Sequence, residues 1–158
     1  MKIQNIIIMI TVALMVLSMI AFGMANRKQP VPEVQETTFA QLIASPSKYN
    51  EKQVTFDAFV FLGFEVMALS ESLEPSGYSP GHLIPRGKLI WIEGEIPKQV
   101  YQQLYPRQIM GPLERYGKVK LTGRFQSGAK YGHLGGYDYQ VKPSKMELLS
   151  WSIEKKGT

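Results

Sequence analysis

Apolar and polar residues alternate over residues 52–62. Val54, Phe56, Ala58, Val60 and Leu62 point one way, and Thr55, Asp57, Phe59 and Phe61 point the other. A period of two marks a strand with one face on a core. Gly63 interrupts the run as a bulge or bend would, and residues 65–70 read as a second strand. Residues 71–87 carry Pro75, Gly77, Pro80, Gly81, Pro85 and Gly87 and read as a long loop. A third strand is expected over residues 88–93, around Ile90, Trp91 and Ile92. The period then changes: Ile96, Val100 and Leu104 fall four apart, which predicts a helix with Pro97 at its first position and Pro106 as its stop. Alternation returns over residues 118–125. Val119, Leu121 and Phe125 share one face, and Lys118, Lys120, Thr122 and Arg124 the other. Residues 128–136 read as a glycine-rich loop. Tyr137, Tyr139 and Val141 open a fifth strand, which residues 146–153 continue or follow with a short extra one.

Ahead of these strands, Thr38-Phe39-Ala40-Gln41 has the form of a capping box. It opens a short helix with Phe39, Leu42 and Ile43 on one face, ended by Pro46. The predicted order is therefore helix, three strands, helix, two strands. A helix between the third and fourth of five strands is the order of an OB-like five-stranded Greek-key barrel. The expected fold class is mainly β.

The amino-terminal residues follow another pattern. Residues 6–25, IIIMITVALMVLSMIAFGMA, are apolar apart from Thr11 and Ser18. Such a run is long enough to cross a hydrocarbon core of about 30 Å as a helix. It reads either as an uncut transmembrane anchor, which its length favours, or as a signal peptide cut after Ala25, with Gly23 and Ala25 as the small residues. A buried core helix is a third reading, disfavoured because the run has no polar face. Arg27 and Lys28 balance the charge at the amino terminus, so orientation is not set. Residues 26–36, with Pro30 and Pro32, read as a semi-extended tether. The expected division is an anchor or signal peptide over residues 1–25, a linker over 26–36 and one domain over 37–158.

The stretch TTFAQLIASPSKYNEKQVTFDAFVFL resembles the opening of small exported or membrane-anchored bacterial OB-fold domains. These have a short helix, then Pro-x-Lys-Tyr, then a Lys-x-Val start to the first strand. The later GHLGGYDYQV is similar to a closing segment of some such proteins. Where those proteins often place Gly before the strand lysine, this chain has Glu51. The resemblance implies a fold and an envelope location and carries no ligand, because fold alone does not imply function.

Composition narrows the chemistry. The chain has no cysteine, which excludes disulfides and a lipid anchored on cysteine. The net charge of +5 is spread out and forms no basic block. No G-x-S-x-G elbow, GxGxxG fingerprint or P-loop is present. The two histidines both sit in Gly-His-Leu, at His82 and His133. They could share a metal with a carboxylate such as Glu65, Glu71 or Asp138. Alternatively, each glycine allows a tight turn in which the imidazole caps a backbone group. Glu93 and Glu95 share a strand face, as a carboxylate pair or as a solvated strand end.

One surface has the composition of a binding platform. It comprises the cations Lys118, Lys120 and Arg124, with Tyr137 and Tyr139 on what would be the next strand. The expected function is a non-enzymatic binding or assembly module of the bacterial cell envelope, tethered to or exported across the membrane, with no cofactor. Its expected partners are the membrane and an envelope protein complex or anionic polymer. Nucleic acid is disfavoured outside the cytoplasm. The alternative is a metal-dependent hydrolase using His82 and His133.

Overall fold

The structure, a computed structural model, describes residues 33–108 and 111–152. The apolar run of residues 6–25 lies outside the described residues. Among those described, no helix is long and apolar enough to cross a membrane.

The elements in chain order begin with strand β1 (Gln35–Glu36) and helices α1 (Phe39–Ala44) and α2 (Pro46–Tyr49). Strands β2 (Gln53–Gly63), β3 (Val66–Ser70), β4 (Ser72–Pro75), β5 (Leu83–Arg86) and β6 (Ile90–Ile92) follow. Helix α3 (Lys98–Gln103) and strand β7 (Tyr105–Arg107) come next. The long strands β8 (Glu114–Tyr131) and β9 (Tyr137–Leu148) flank a short 3-10 turn, His133–Gly135. The fold is mainly β with a mixed sheet. The main sheet runs β1-β2-β3-β6-β9-β8-β7, and β2 pairs also with β8. The β1–β2 and β6–β9 pairs are parallel, and the others antiparallel.

The alternation along β2 and β8 is realised as expected. Val54, Phe56, Ala58 and Val60 are buried, opposite Val119 and Leu121 in the β2–β8 register. They form one core with Leu69, Ile90, Ile92, Phe125, Val141 and the apolar faces of α1 and α3. The capping box is present in full: Gln41 N donates to Thr38 Oγ1 at 3.2 Å, and Thr38 N donates to Gln41 Oε1 at 3.3 Å. This satisfies two amide groups that the first turn of α1 would leave unpaired.

Several expectations are corrected. Gln35 and Glu36, read as part of the tether, pair with Val54 and Thr55. Pro46 ends α1 but also starts α2, where its fixed φ suits a first helical turn. Pro97 sits one residue before α3 as its cap, not at the first helical position. Pro106, read as a helix stop, lies within β7. Strand β8 runs on through Gly128 to Tyr131, so the glycine-rich loop shrinks to a turn. Met146 continues β9.

The largest correction concerns residues 71–87. They form the β4–β5 hairpin, a separate two-stranded sheet. Its Leu73 and Leu83 join Phe61, Tyr116, Val66 and Trp151 in a second apolar cluster. Phe61 therefore points away from the first core, as its parity requires, and is still buried. The hairpin, β8 and Trp151 supply its cover.

Two backbone positions deserve the chemistry of glycine. Glu51, where the resembling proteins often have Gly, takes a φ of +62°, in the left-handed region. It is held there from both ends: its N–H donates to Phe125 O at 2.8 Å, and its Oε1 accepts from Gln126 Nε2 at 2.8 Å. Gly123 lies at a register shift between β8 and β9. A Cβ there would stand 2.5 Å from the carbonyl oxygen of Lys142, so no side chain fits.

Candidate functional site

The five residues expected to form a platform do not meet on one face. Lys118, Lys120 and Arg124 alternate with buried Val119, Leu121 and Phe125 and so point outward. Tyr139 instead packs against the core and stacks on Phe125, with ring centroids 5.9 Å apart. Tyr137 packs against Trp91 at 5.1 Å, and burial raises its hydroxyl pKa. The register accounts for the separation: Val141 pairs with Phe125 and faces in, so Tyr139, two residues earlier, faces in as well. Arg124 lies 3.6 Å from Glu51. Lys120 lines a pocket of about 190 Å³ with Thr37, Thr55 and Asp57. Lys118 faces a much larger groove, described below.

The histidines also separate. His133 Nε2 lies 3.3 Å from Glu65, whereas His82 Nε2 lies 2.7 Å from Glu114. Glu71 is exposed. Among the described residues, no group of three or more His, Asp or Glu side chains is arranged to hold a metal. Glu93 accepts a bond from Trp91 Nε1 at 3.2 Å, and both Glu93 and Glu95 are exposed.

Asp138 is held by Lys130 Nζ at 2.6 Å and Lys88 Nζ at 3.4 Å. The Lys130 hydrogen bond, and then its charge, hold the carboxyl below its ordinary value of 3.8. A folded value below the unfolded one adds stability above the ordinary value, and this is lost as pH falls through the folded value. With this side chain 45% exposed, solvent screening keeps the contribution small. Titration followed by NMR should place Asp138 below 3.8, and Lys130→Gln should raise it. A carboxyl that ignores this substitution would show that the pair does not persist in solution.

The structure assembles one site that the sequence did not reveal. The β4–β5 hairpin is closed by residues 76–82, SGYSPGH. Gly77 and Gly81 take φ of +80° and +73°, which allows the tight path. The loop is then tied to the body at three points. His82 Nε2 meets Glu114 Oε2, and since a carboxylate only accepts, that nitrogen carries a proton. Arg107 Nη2 donates to Ser79 Oγ at 3.1 Å and to Pro80 O at 2.8 Å. The buried Tyr116 hydroxyl donates to Gly81 O at 3.2 Å.

Inside the loop, His82 Nδ1 lies 2.6 Å from Ser76 Oγ, which accepts from Tyr78 N at 3.0 Å. A hydroxyl, an imidazole and a carboxylate thus stand in a row, the connectivity of a nucleophilic triad. Here the serine oxygen is engaged by the Tyr78 amide, and His82 is only 7% exposed. The chain fixes the loop's shape. No serine stood beside a base in the linear sequence; the pair forms because the hairpin turn returns residue 82 to residue 76.

This fixed loop lines a groove of about 1810 Å³ together with residues 148–152, including Trp151, and with Leu104, Tyr105, Tyr116 and Gly117. Gly117 lets the end of α3 seat against β8: a Cβ there would lie 2.9 Å from Leu104 Cδ2. Tyr116 packs among aromatic neighbours: its centroid lies 5.5 Å from the tilted ring of Tyr105 and 6.1 Å from Trp151, which it meets edge to face. Tyr78 and Tyr105 keep their rings exposed at the groove.

Comparison with protein-family models, with curated proteins and with solved structures finds no match to this chain.

Proposed function

We propose that the chain is a non-enzymatic binding or assembly module of the bacterial cell envelope, tethered to or exported across the membrane and built on an OB-like five-stranded Greek-key barrel. The pairings support the barrel. Strands β2, β3, β6, β9 and β8 each pair with two others of the set, so the order returns to its start. A line of paired residues runs from Tyr116 through Phe61, Ala68, Trp91 and Gln140 to Gln126. It comes back to β8 ten residues beyond its origin, and a stagger of this kind is what tilted strands need to close on themselves. The position of α3 between β6 and β8 is that of the OB order. The envelope location rests on the apolar run of residues 6–25 and on the resemblance, by order of elements over much of residues 37–149, to exported bacterial OB-fold domains.

The observation that carries a binding role is the groove beside Tyr116. It is lined by exposed aromatic rings and by the 76–82 loop, whose bonds to the body meet that loop's cost of ordering before a ligand arrives. The metal-dependent hydrolase alternative draws less support, because His82 and His133 answer to different carboxylates.

The test places a photocrosslinking side chain at Tyr78, 83% exposed at the groove, and a control at Leu134, 92% exposed on the β8–β9 turn. In native membranes, the Tyr78 position should capture an envelope component that the Leu134 position does not. Capture at neither position, or equal capture at both, would end the assignment of binding to this groove.

A further inference from the structure

Resting on that reading, we infer that the groove takes an anionic polysaccharide, with Lys118 and Arg107 meeting its charges and Tyr105 and Tyr78 meeting its sugar rings. The charge balance of the groove points to an anion. Among the described residues, Arg107 bonds to neutral oxygens, those of Ser79 and Pro80, and its Nε is buried without a partner. Lys118 lines the same groove, is half-buried, and has no carboxylate within 4.0 Å among the described residues. The carboxylate on the groove's lining, Glu74, is 3.4 Å from Arg86. Lys118 therefore lines the groove with no carboxylate of the described residues within 4.0 Å, and Arg107, although Glu114 is its cross-strand neighbour, makes no ion pair within 4.0 Å among the described residues. A guanidinium and an ammonium are the donors that carboxylate or phosphate groups on a polymer recruit.

The rest of the lining selects the polymer. Tyr105 is 44% exposed and Tyr78 83% exposed, and each offers an apolar ring face beside a hydroxyl. Flat ring faces suit the C–H faces of sugars. Gln102 adds a neutral amide of the kind that pairs with hydroxyl groups, beside Gln103, whose Nε2 already donates to Gln99 O at 3.0 Å. An acidic peptide would dock most simply as an added strand on β7, an edge of the main sheet. Pro106 at the centre of that strand has no N–H to donate, so the edge is blunted against strand addition. The groove is also distinct from the β3–β6 face of the sheet; it lies on β7, β8 and the hairpin loop.

The test uses the full chain in neutral detergent, titrated with polygalacturonate oligomers and followed by tryptophan fluorescence, since Trp151 lines the groove. Saturable binding is expected, weakening severalfold as salt rises, because exposed charges are screened within about 8–10 Å at physiological ionic strength. Lys118→Gln should raise Kd about fivefold, the size of one partly exposed charge contact. Tyr105→Ala should raise Kd with the salt dependence unchanged. Arg107→Gln also loosens the hairpin loop, so Lys118→Gln, whose side chain makes no hydrogen bond or ion pair among the described residues, is the deciding variant.

Dextran binding as tightly as polygalacturonate would overturn the anionic assignment, and polyglutamate binding as tightly would overturn the polysaccharide. Unchanged binding by Lys118→Gln would remove this groove as the anion site. Capture at Tyr78 in membranes is read independently. A groove that crosslinks in membranes and ignores polygalacturonate keeps the module and loses the ligand class.

Discussion

A chain carrying Tyr116→Ala should lose about 3–5 kcal/mol of stability, as expected for emptying a fully buried aromatic site. Tyr116 is 0% exposed and stands at the centre of the second apolar cluster, against Phe61, Tyr105 and Trp151. Its ring joins the β4–β5 hairpin to the body of the sheet, and its hydroxyl holds Gly81 O. Tyr116→Phe keeps the ring and removes one hydrogen bond, so it should cost about 0.5–1.5 kcal/mol. Urea unfolding of the two variants beside the parent separates the terms. A Tyr116→Ala loss under about 1 kcal/mol would mean that the hairpin is not part of the cooperative unit.

The same residue predicts an alkaline effect. Burial first, and the neighbouring Tyr105 second, raise the Tyr116 pKa above its ordinary value of 10.0. Its folded value exceeds its unfolded one, so its contribution is complete below the ordinary value and declines as pH climbs through the folded value. Tyr116→Phe should remove that part of the decline.

Leu121→Ala should cost about 2–5 kcal/mol, from the lost transfer of the side chain and the cavity left behind. Leu121 is 0% exposed and lies opposite Phe56 across the β2–β8 register. Its neighbour Thr122 points the other way, where its hydroxyl lies 2.8 Å from that of Thr55. Thr122→Ala should therefore cost only about 0.5–1.5 kcal/mol. Comparable losses for the two variants would mean that the strand is rotated from the orientation described here, since a slip of one residue exchanges the faces.

The contrast between these two residues was legible in the sequence. Val119, Leu121 and Phe125 alternate with Lys118, Lys120, Thr122 and Arg124, and a period of two has one physical solution when half the positions are apolar. The α1 cap was legible for a similar reason, because Thr38 and Gln41 satisfy amides within one turn of the chain. The α3 face was legible in Val100 and Leu104, both buried on the core. In each case the interaction that decides the structure lies within a few residues along the chain.

What failed to show in the sequence depends on partners far along it. Residues 72–86 carry three prolines and several glycines within or beside the segment, a composition read as loop; they become a hairpin because Leu73 and Leu83 find Phe61 and Tyr116. Phe61 itself was assigned to the outer face correctly, but the sequence holds no sign that this face would be covered. Tyr139 looked like a partner for the cations of β8; the β8–β9 register turns it inward onto Phe125. His82 looked as available as His133 until the hairpin brought it to Ser76 and Glu114, 32 residues away.

The sequence by itself thus determined the mainly β character, the faces of β2 and β8, the capped first helix and the apolar amino-terminal run, all of which follow from local periodicity and spacing. Only the tertiary structure decided that Lys118 and Arg107 share a groove while Lys118 and Tyr139 do not share a face. That outcome rests on strand register and on the fold-back of a hairpin. Both are set by burial of apolar side chains distant in sequence, which no local pattern encodes.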